Sequence, residues 1–93
     1  FLLIGHGALE KELKKQLLLQ KLGDRCRILV EPHRAKEFLY VSDIFVLTSF
    51  REGQPIVILE SMLNGVPVIA SSIDGVKSII IDGKNGLLFL AGD

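Results

Sequence analysis

Glu52 and Glu60, with seven residues between them, are the side chains whose type and spacing suit ligand chemistry. Both lie in the stretch Thr48 to Asn64, which follows a short apolar run, Ile44 to Leu47. Pro55 stands where a first helical residue is expected, because proline there forfeits no needed N–H and its φ is already helical. Gln54 is then the N-cap, although glutamine is not a favoured one. The predicted helix runs to Asn64, and Gly65 ends it in a left-handed conformation. At a rise of ~1.5 Å per residue, Glu60 starts roughly 8 Å from the mouth of that helix. Helical side chains lean toward the N-terminus, which brings its carboxylate closer to the loop. Between the glutamates lie the N–H groups of Ile56 to Ile58, expected to be free. With the positive end of the helix dipole they would form an anion site. An anion cradle flanked by two acceptors suits a phosphate with hydroxyls on either side, as in a sugar nucleotide. The plainer alternative makes Glu52 a solvated loop charge and Glu60 an exposed helix residue. The apolar neighbours Ile56, Val57, Ile58 and Leu63 argue against full exposure of Glu60, and a partly buried carboxylate needs a partner.

The elements that must position this stretch alternate between strand and helix. Phe1 to Ile4, Arg27 to Val30, Ile44 to Leu47, Pro67 to Ala70 and Leu87 to Leu90 read as strands, the first and third as buried ones. Ala8 to Leu22 reads as a helix with Leu9, Leu13, Leu17 and Leu18 on one face and Gly23 as its cap. Glu10 with Lys14, and Glu12 with Gln16, are spaced to pair on the outer side. Ala35 to Val41 is a short helix with Phe38 and Leu39 inward, and Val76 to Ile81 a further helical turn. Ser71 to Gly75 is a loop, and Asp82 to Gly86 a tight turn. Such alternation implies right-handed crossovers and a parallel sheet. The expected strand order is 2-1-3-4-5, with ligands at the carboxyl ends where the order reverses. Gly5-His6-Gly7 and Thr48 to Gln54 are the loops at that point.

Composition sets bounds. The 93 residues suit one small domain. Hydrophobic residues make up 48% and mean hydropathy is +0.41, as expected of strands buried on both faces. Eleven acidic and eleven basic residues cancel, which leaves no basic stripe for nucleic acid. The single Cys26 cannot form an internal disulfide and suits a reducing, cytoplasmic compartment; a small buried residue is its simplest role. Gly5-His6-Gly7 lacks the third glycine of a dinucleotide loop, so His6 reads as a turn residue. No His, Cys or Asp cluster has metal-ligand spacing. The chain begins without Met inside a predicted strand and ends just after one, as expected of a piece of a longer protein.

Ser49-Phe50-Arg51-Glu52-Gly53-Gln54-Pro55, then Glu60, then Asn64-Gly65-Val66-Pro67-Val68-Ile69-Ala70-Ser71 resembles the retaining glycosyltransferases of the GT-B fold, above all the large family-4 group. The hallmark is the glutamate pair followed by a Gly-x-Pro-Val strand entry. The resemblance implies an α/β three-layer parallel sheet, a Rossmann-like half of a GT-B fold cut to about five strands, binding a nucleotide-sugar donor. It assigns Glu60 to the ribose hydroxyls and Glu52 to hydroxyls of the transferred sugar. Backbone groups of Gly53, Gln54, Pro55, Ile56 and Val57 would sit near the sugar and distal phosphate, and the main chain around Val30, Glu31 and Pro32 near the base. It implies a UDP- or GDP-sugar donor with no metal, an acceptor domain elsewhere, and room for peripheral membrane association through a lipid acceptor. It also places one further strand between the first and third strands of this chain; closing up of those two is the favoured expectation. Ser71 to Ser78 resembles a segment usually richer in glycine and ending in Glu. Here Asp74 replaces a glycine and Ser78 the Glu, so a structural loop is expected. A sugar-nucleotide epimerase domain and a flavodoxin-like binding module are the alternatives.

Overall fold

The computed structural model describes every residue except Glu31, together with the backbone but not the side chain of Pro32. The chain forms two compact units, Phe1–Ala35 and Lys36–Asp93. No helix among the described residues is long and apolar enough to cross a membrane.

The first unit is a single strand–helix–strand crossover. Strands β1 (Leu2–Ile4) and β2 (Arg27–Leu29) run parallel, with Leu3 opposite Ile28. Helix α1 spans Glu10–Leu19, shorter at both ends than its apolar pattern suggests. The outer pairs form as expected: Lys14 Nζ meets Glu10 Oε1 at 2.5 Å, and Gln16 Nε2 donates to Glu12 Oε1 at 3.2 Å. The apolar stripe does not. Leu9 and Leu18 are largely exposed, Leu13 is exposed too, and no residue of α1 is buried. The first strand is likewise not a buried one, since Leu2 and Leu3 remain exposed, and Cys26 is only half-buried. Two strands and one helix have too little facing surface to close over these side chains.

The cap of α1 also differs from expectation. Lys21, not Gly23, takes the left-handed conformation, at φ 55°. Its N–H donates to the Leu18 carbonyl at 3.1 Å and the Leu22 N–H to the Leu17 carbonyl at 2.9 Å. That is a Schellman closure two residues earlier than the glycine. A Cβ at such φ is strained, so Lys21→Gly is expected to raise stability by about 0.5–1 kcal/mol. A higher midpoint in urea unfolding followed by circular dichroism is the expected reading; a lower one would refute it.

The second unit holds α2 (Ala35–Leu39, its first residue closing the first unit), β3 (Phe45–Leu47), α3 (Ile56–Leu63), β4 (Val68–Ser71), α4 (Asp74–Lys77) and β5 (Leu87–Phe89). The three strands make a parallel sheet in the order β3-β4-β5, with Leu47 opposite Ala70 and Ala70 opposite Leu88. Leu39 of α2 is buried and Phe38 half-buried, as their pattern suggests. Val68, Ala70 and Ser71 on the central strand are buried, and so are Ile58 and Ser61 on α3 and Val76 after β4. Together with Ile80 these apolar residues form the core. Ser61 is tolerated there because its hydroxyl donates to the Val57 carbonyl one turn back, at 2.8 Å. β3 lies at the sheet edge, and Val46 is half-exposed rather than buried.

The expected five-stranded order is not confirmed. Among the described residues the ladders join β1 to β2 and β3 to β4 to β5, and none joins β1 to β3. Strands close into one sheet only by direct pairing of their backbone groups. The additional strand that the resemblance places between those two is not among this chain's residues.

Candidate functional site

The site grows from the carboxyl end of the second unit's sheet. Ser71 Oγ donates to the Leu47 carbonyl at 3.3 Å, and the Ser72 N–H to the Phe89 carbonyl at 2.7 Å. These bonds tie the ends of β3 and β5 to the end of β4. The loops leaving β3 and β4 then bound a cleft of about 620 Å³, lined by Phe50, Arg51, Glu52 and Gly53 from one and Ser72, Ile73, Asp74 and Gly75 from the other. Clefts at the carboxyl ends of parallel strands are where such sheets take ligands.

Glu52 is exposed at this cleft, and its Oε1 accepts from Ser49 Oγ at 2.6 Å. The hydroxyl fixes the carboxylate, and among the described residues nothing donates to Oε2. Beneath it, the main chain of Glu52 and Gly53 presses on Gly75 in α4. A Cβ on Gly75 would lie 2.3 Å from the Glu52 carbonyl oxygen and 2.6 Å from that of Gly53. Only a residue without a side chain lets the two loops meet so closely. Gly75 thus positions the Glu52 loop, a role that the pattern of residues around it did not single out. The one hint in the sequence was the likeness to a glycine-rich segment. Ser78, at the position where the family usually has Glu, turns back on its own helix and donates to the Gly75 carbonyl at 2.8 Å.

The start of α3 is one residue later than expected. Pro55 is the N-cap, buried, at φ −76° and ψ 84°. Those angles are close to an inverse γ-turn, and the turn closes: the Ile56 N–H donates to the Gln54 carbonyl at 2.9 Å. The Ile58 N–H donates to the Pro55 carbonyl at 3.0 Å. So the expected cradle of three free donors is reduced. Of Ile56, Val57 and Ile58, only the Val57 N–H has no partner among the described residues. The other end behaves as expected. Gly65, at φ 70°, donates to the Met62 carbonyl and Val66 to that of Ser61, which closes the helix after Asn64.

Glu60 lies midway along α3 with its side chain 24% exposed. It has the partner that partial burial demands, and the partner is Lys36 on α2: Nζ lies 2.6 Å from Oε1. Lys36 itself is 75% exposed. Nothing in the spacing of the sequence pairs residues 36 and 60; only folding brings Lys36 to Glu60. The hydrogen bond and the negative charge of Glu60 raise the lysine pKa above its ordinary 10.5, against a smaller opposing effect of burial. A raised folded-state pKa gives stabilisation that is complete below 10.5 and is lost as pH climbs through the higher value. The stability difference between wild type and Lys36→Met, small because the lysine is exposed, is therefore expected to hold from neutral pH to 10.5 and to shrink only beyond it. Chemical unfolding on either side of that point checks the sign; a difference that widens with alkalinity would contradict it.

Of the expected site residues, Glu52 and Gly53 line the cleft. Gln54, Pro55, Ile56, Val57 and Glu60 do not line it; they form the start and one face of α3. Gln54 and Ile56 are exposed and Val57 is half-buried. Val30 belongs to the first unit, just after β2, and is half-exposed. Glu31 lies outside the described residues. His6 is exposed in the turn after β1, and His33 is exposed in a 3-10 turn, Pro32–Arg34.

Two curated relatives and a solved structure match this chain over nearly its whole length. UDP-Gal:alpha-D-GlcNAc-diphosphoundecaprenol alpha-1,3-galactosyltransferase of Escherichia coli is 33% identical over 94 residues, covering 100% of this chain and 24% of that protein. N-acetyl-alpha-D-glucosaminyl L-malate synthase of Bacillus anthracis is 32% identical over 92 residues, covering 99% and 24%. The chain thus spans about a quarter of the length of these relatives. The crystal structure of Anabaena Alr3699/HepE in complex with UDP and glucose superposes with a TM-score of 0.85 at 28% identity, covering 99% of this chain and 27% of that one. The expected fold class, α/β with parallel strands and a likeness to GT-B glycosyltransferases, is therefore shown. The whole of residues 1–93 matches one family, and the chain belongs to it: glycosyl transferases group 1.

Proposed function

We propose that this chain is the donor-binding part of a retaining glycosyltransferase, which transfers a hexose-type sugar from a nucleoside diphosphate to an acceptor held by another part of the protein. The observation that carries the reading is a pair of acceptor carboxylates set before and within α3, each fixed by one donor: Glu52 by Ser49 and Glu60 by Lys36. A fixed carboxylate with an open oxygen accepts sugar hydroxyls without first having to be ordered. Glu60 would take the ribose, the Val57 N–H and the start of α3 the distal phosphate, and Glu52 the transferred sugar in the cleft. The family and the UDP and glucose bound by the Anabaena protein support this assignment.

Charge building on the departing diphosphate would be met by the Val57 N–H and the helix dipole, so the reading asks for no metal ion. An acceptor carried on a lipid, as in the name of the Escherichia coli relative, would bring the whole protein to a membrane surface. Isothermal titration with UDP, GDP and their sugar conjugates tests donor binding. The expected result is binding of one nucleotide series with the same affinity in EDTA. An absence of heat with every one of them, at millimolar ligand, would remove the reading.

A further inference from the structure

A lysine that is three-quarters exposed has little reason to be held for stability. Exposed ion pairs contribute little to folding. Lys36 is nevertheless closed onto Glu60 at 2.6 Å, and Glu60 is the more buried of the two. Its Oε1 is taken by the ammonium, and among the described residues nothing donates to Oε2. The pair is therefore half a binding site: one oxygen anchored, the other presented. It also answers an electrostatic difficulty. A nucleoside diphosphate is an anion, and Glu52 and Glu60 are both acceptors that would repel it. Arg51 supplies a cation at the Glu52 cleft. Lys36 supplies one at Glu60.

We propose that Lys36 is a positioning residue of the donor site, whose ammonium anchors the Glu60 carboxylate through Oε1, leaves Oε2 to accept from the ribose, and offsets the charge of Glu60 toward an anionic nucleotide. This rests on the donor-binding reading given above. It adds a residue to that site which the glutamate motif does not contain. Arginine at position 36 keeps both the charge and the donor; methionine keeps the apolar stem and removes both.

The test is titration of the wild-type protein, Lys36→Met and Lys36→Arg with whichever of UDP or GDP the wild type binds, at low and high salt. Lys36→Met is expected to weaken the nucleotide about 5-fold at low salt. Its affinity should also depend less steeply on salt, because one attractive charge is gone. Lys36→Arg is expected to restore both. Lys36 is 75% exposed, so either change should leave the fold intact and lower stability no more than an exposed ion pair allows, which closely similar thermal melts check. If Lys36→Met binds as tightly as wild type, or more tightly, the lysine is inert or in the way and the proposal is overturned, while the donor-binding reading stands. If the wild type binds no nucleotide, both fall together.

Discussion

Gly75→Ala is expected to lower stability by about 1–3 kcal/mol and to weaken binding of the sugar nucleotide more than that of the bare nucleotide. Two effects oppose each other at this position. Gly75 is helical, and alanine in place of a helical glycine ordinarily stabilises by about 1 kcal/mol. Against that, the added Cβ would lie 2.3 Å and 2.6 Å from two carbonyl oxygens. Both belong to main chain, which cannot swing aside as the end of a long side chain can. The overlap therefore outweighs the propensity gain, and relief comes only by lifting the Glu52–Gly53 loop off α4. Lifting it moves Glu52 and the wall of the cleft together. Nucleotide contacts at Glu60, midway along α3, are not displaced directly. Gly7→Ala is the control, because nothing lies within 4 Å of a Cβ there. Urea unfolding and paired titrations with a nucleotide and its sugar conjugate read both halves of the expectation. A variant as stable as Gly7→Ala that keeps the affinity for the conjugate would show that the loop does not rest on Gly75.

What was legible in the sequence follows from how locally each feature is determined. Turn chemistry is local, and the Gly65 stop of α3 and the Asp82–Gly86 turn, with Gly83 at φ 72°, stand where the residues placed them. Strand identity is nearly as local, and all five strands exist within one residue of the expected bounds at each end. Burial is not local. Leu9, Leu13 and Leu18 carry a helical apolar spacing but remain exposed, because spacing says which face is apolar and not what covers it. The start of α3 shows a finer limit. Proline suits both the first helical position and the turn before it, and its fixed φ is compatible with either. The ψ of 84° decides for the turn, and with it goes the freedom of the Ile56 and Ile58 donors. Lys36 and Gly75 were missed for a common reason. Each acts on a residue more than twenty positions away, through a contact that only folding creates.

The sharpest separation of the two glutamates comes from what each would lose. Glu60→Gln is expected to weaken UDP or GDP and the sugar conjugate by the same factor, because both carry the ribose. Glu52→Gln is expected to spare the bare nucleotide and weaken only the conjugate. A charge-assisted hydrogen bond is worth about 1.5–3 kcal/mol and a neutral one about half that, so turning one ribose bond at Glu60 from a charged acceptor to an amide oxygen gives about 4- to 12-fold weaker binding. The fold should tolerate either change. Glutamine keeps the shape of Glu60, and the Lys36 ammonium it would leave behind is 75% exposed and returns to water. Glu52 is exposed, and its bond from Ser49 Oγ can be made to an amide oxygen as well. Stability is therefore expected to move by less than about 0.5 kcal/mol in both variants, as for surface changes generally. The pattern across four titrations, and not any single affinity, is the decisive quantity. Equal losses for both ligands in both variants would mean that the two carboxylates serve one common contact. A loss in neither would return Glu52 and Glu60 to the status of solvated charges.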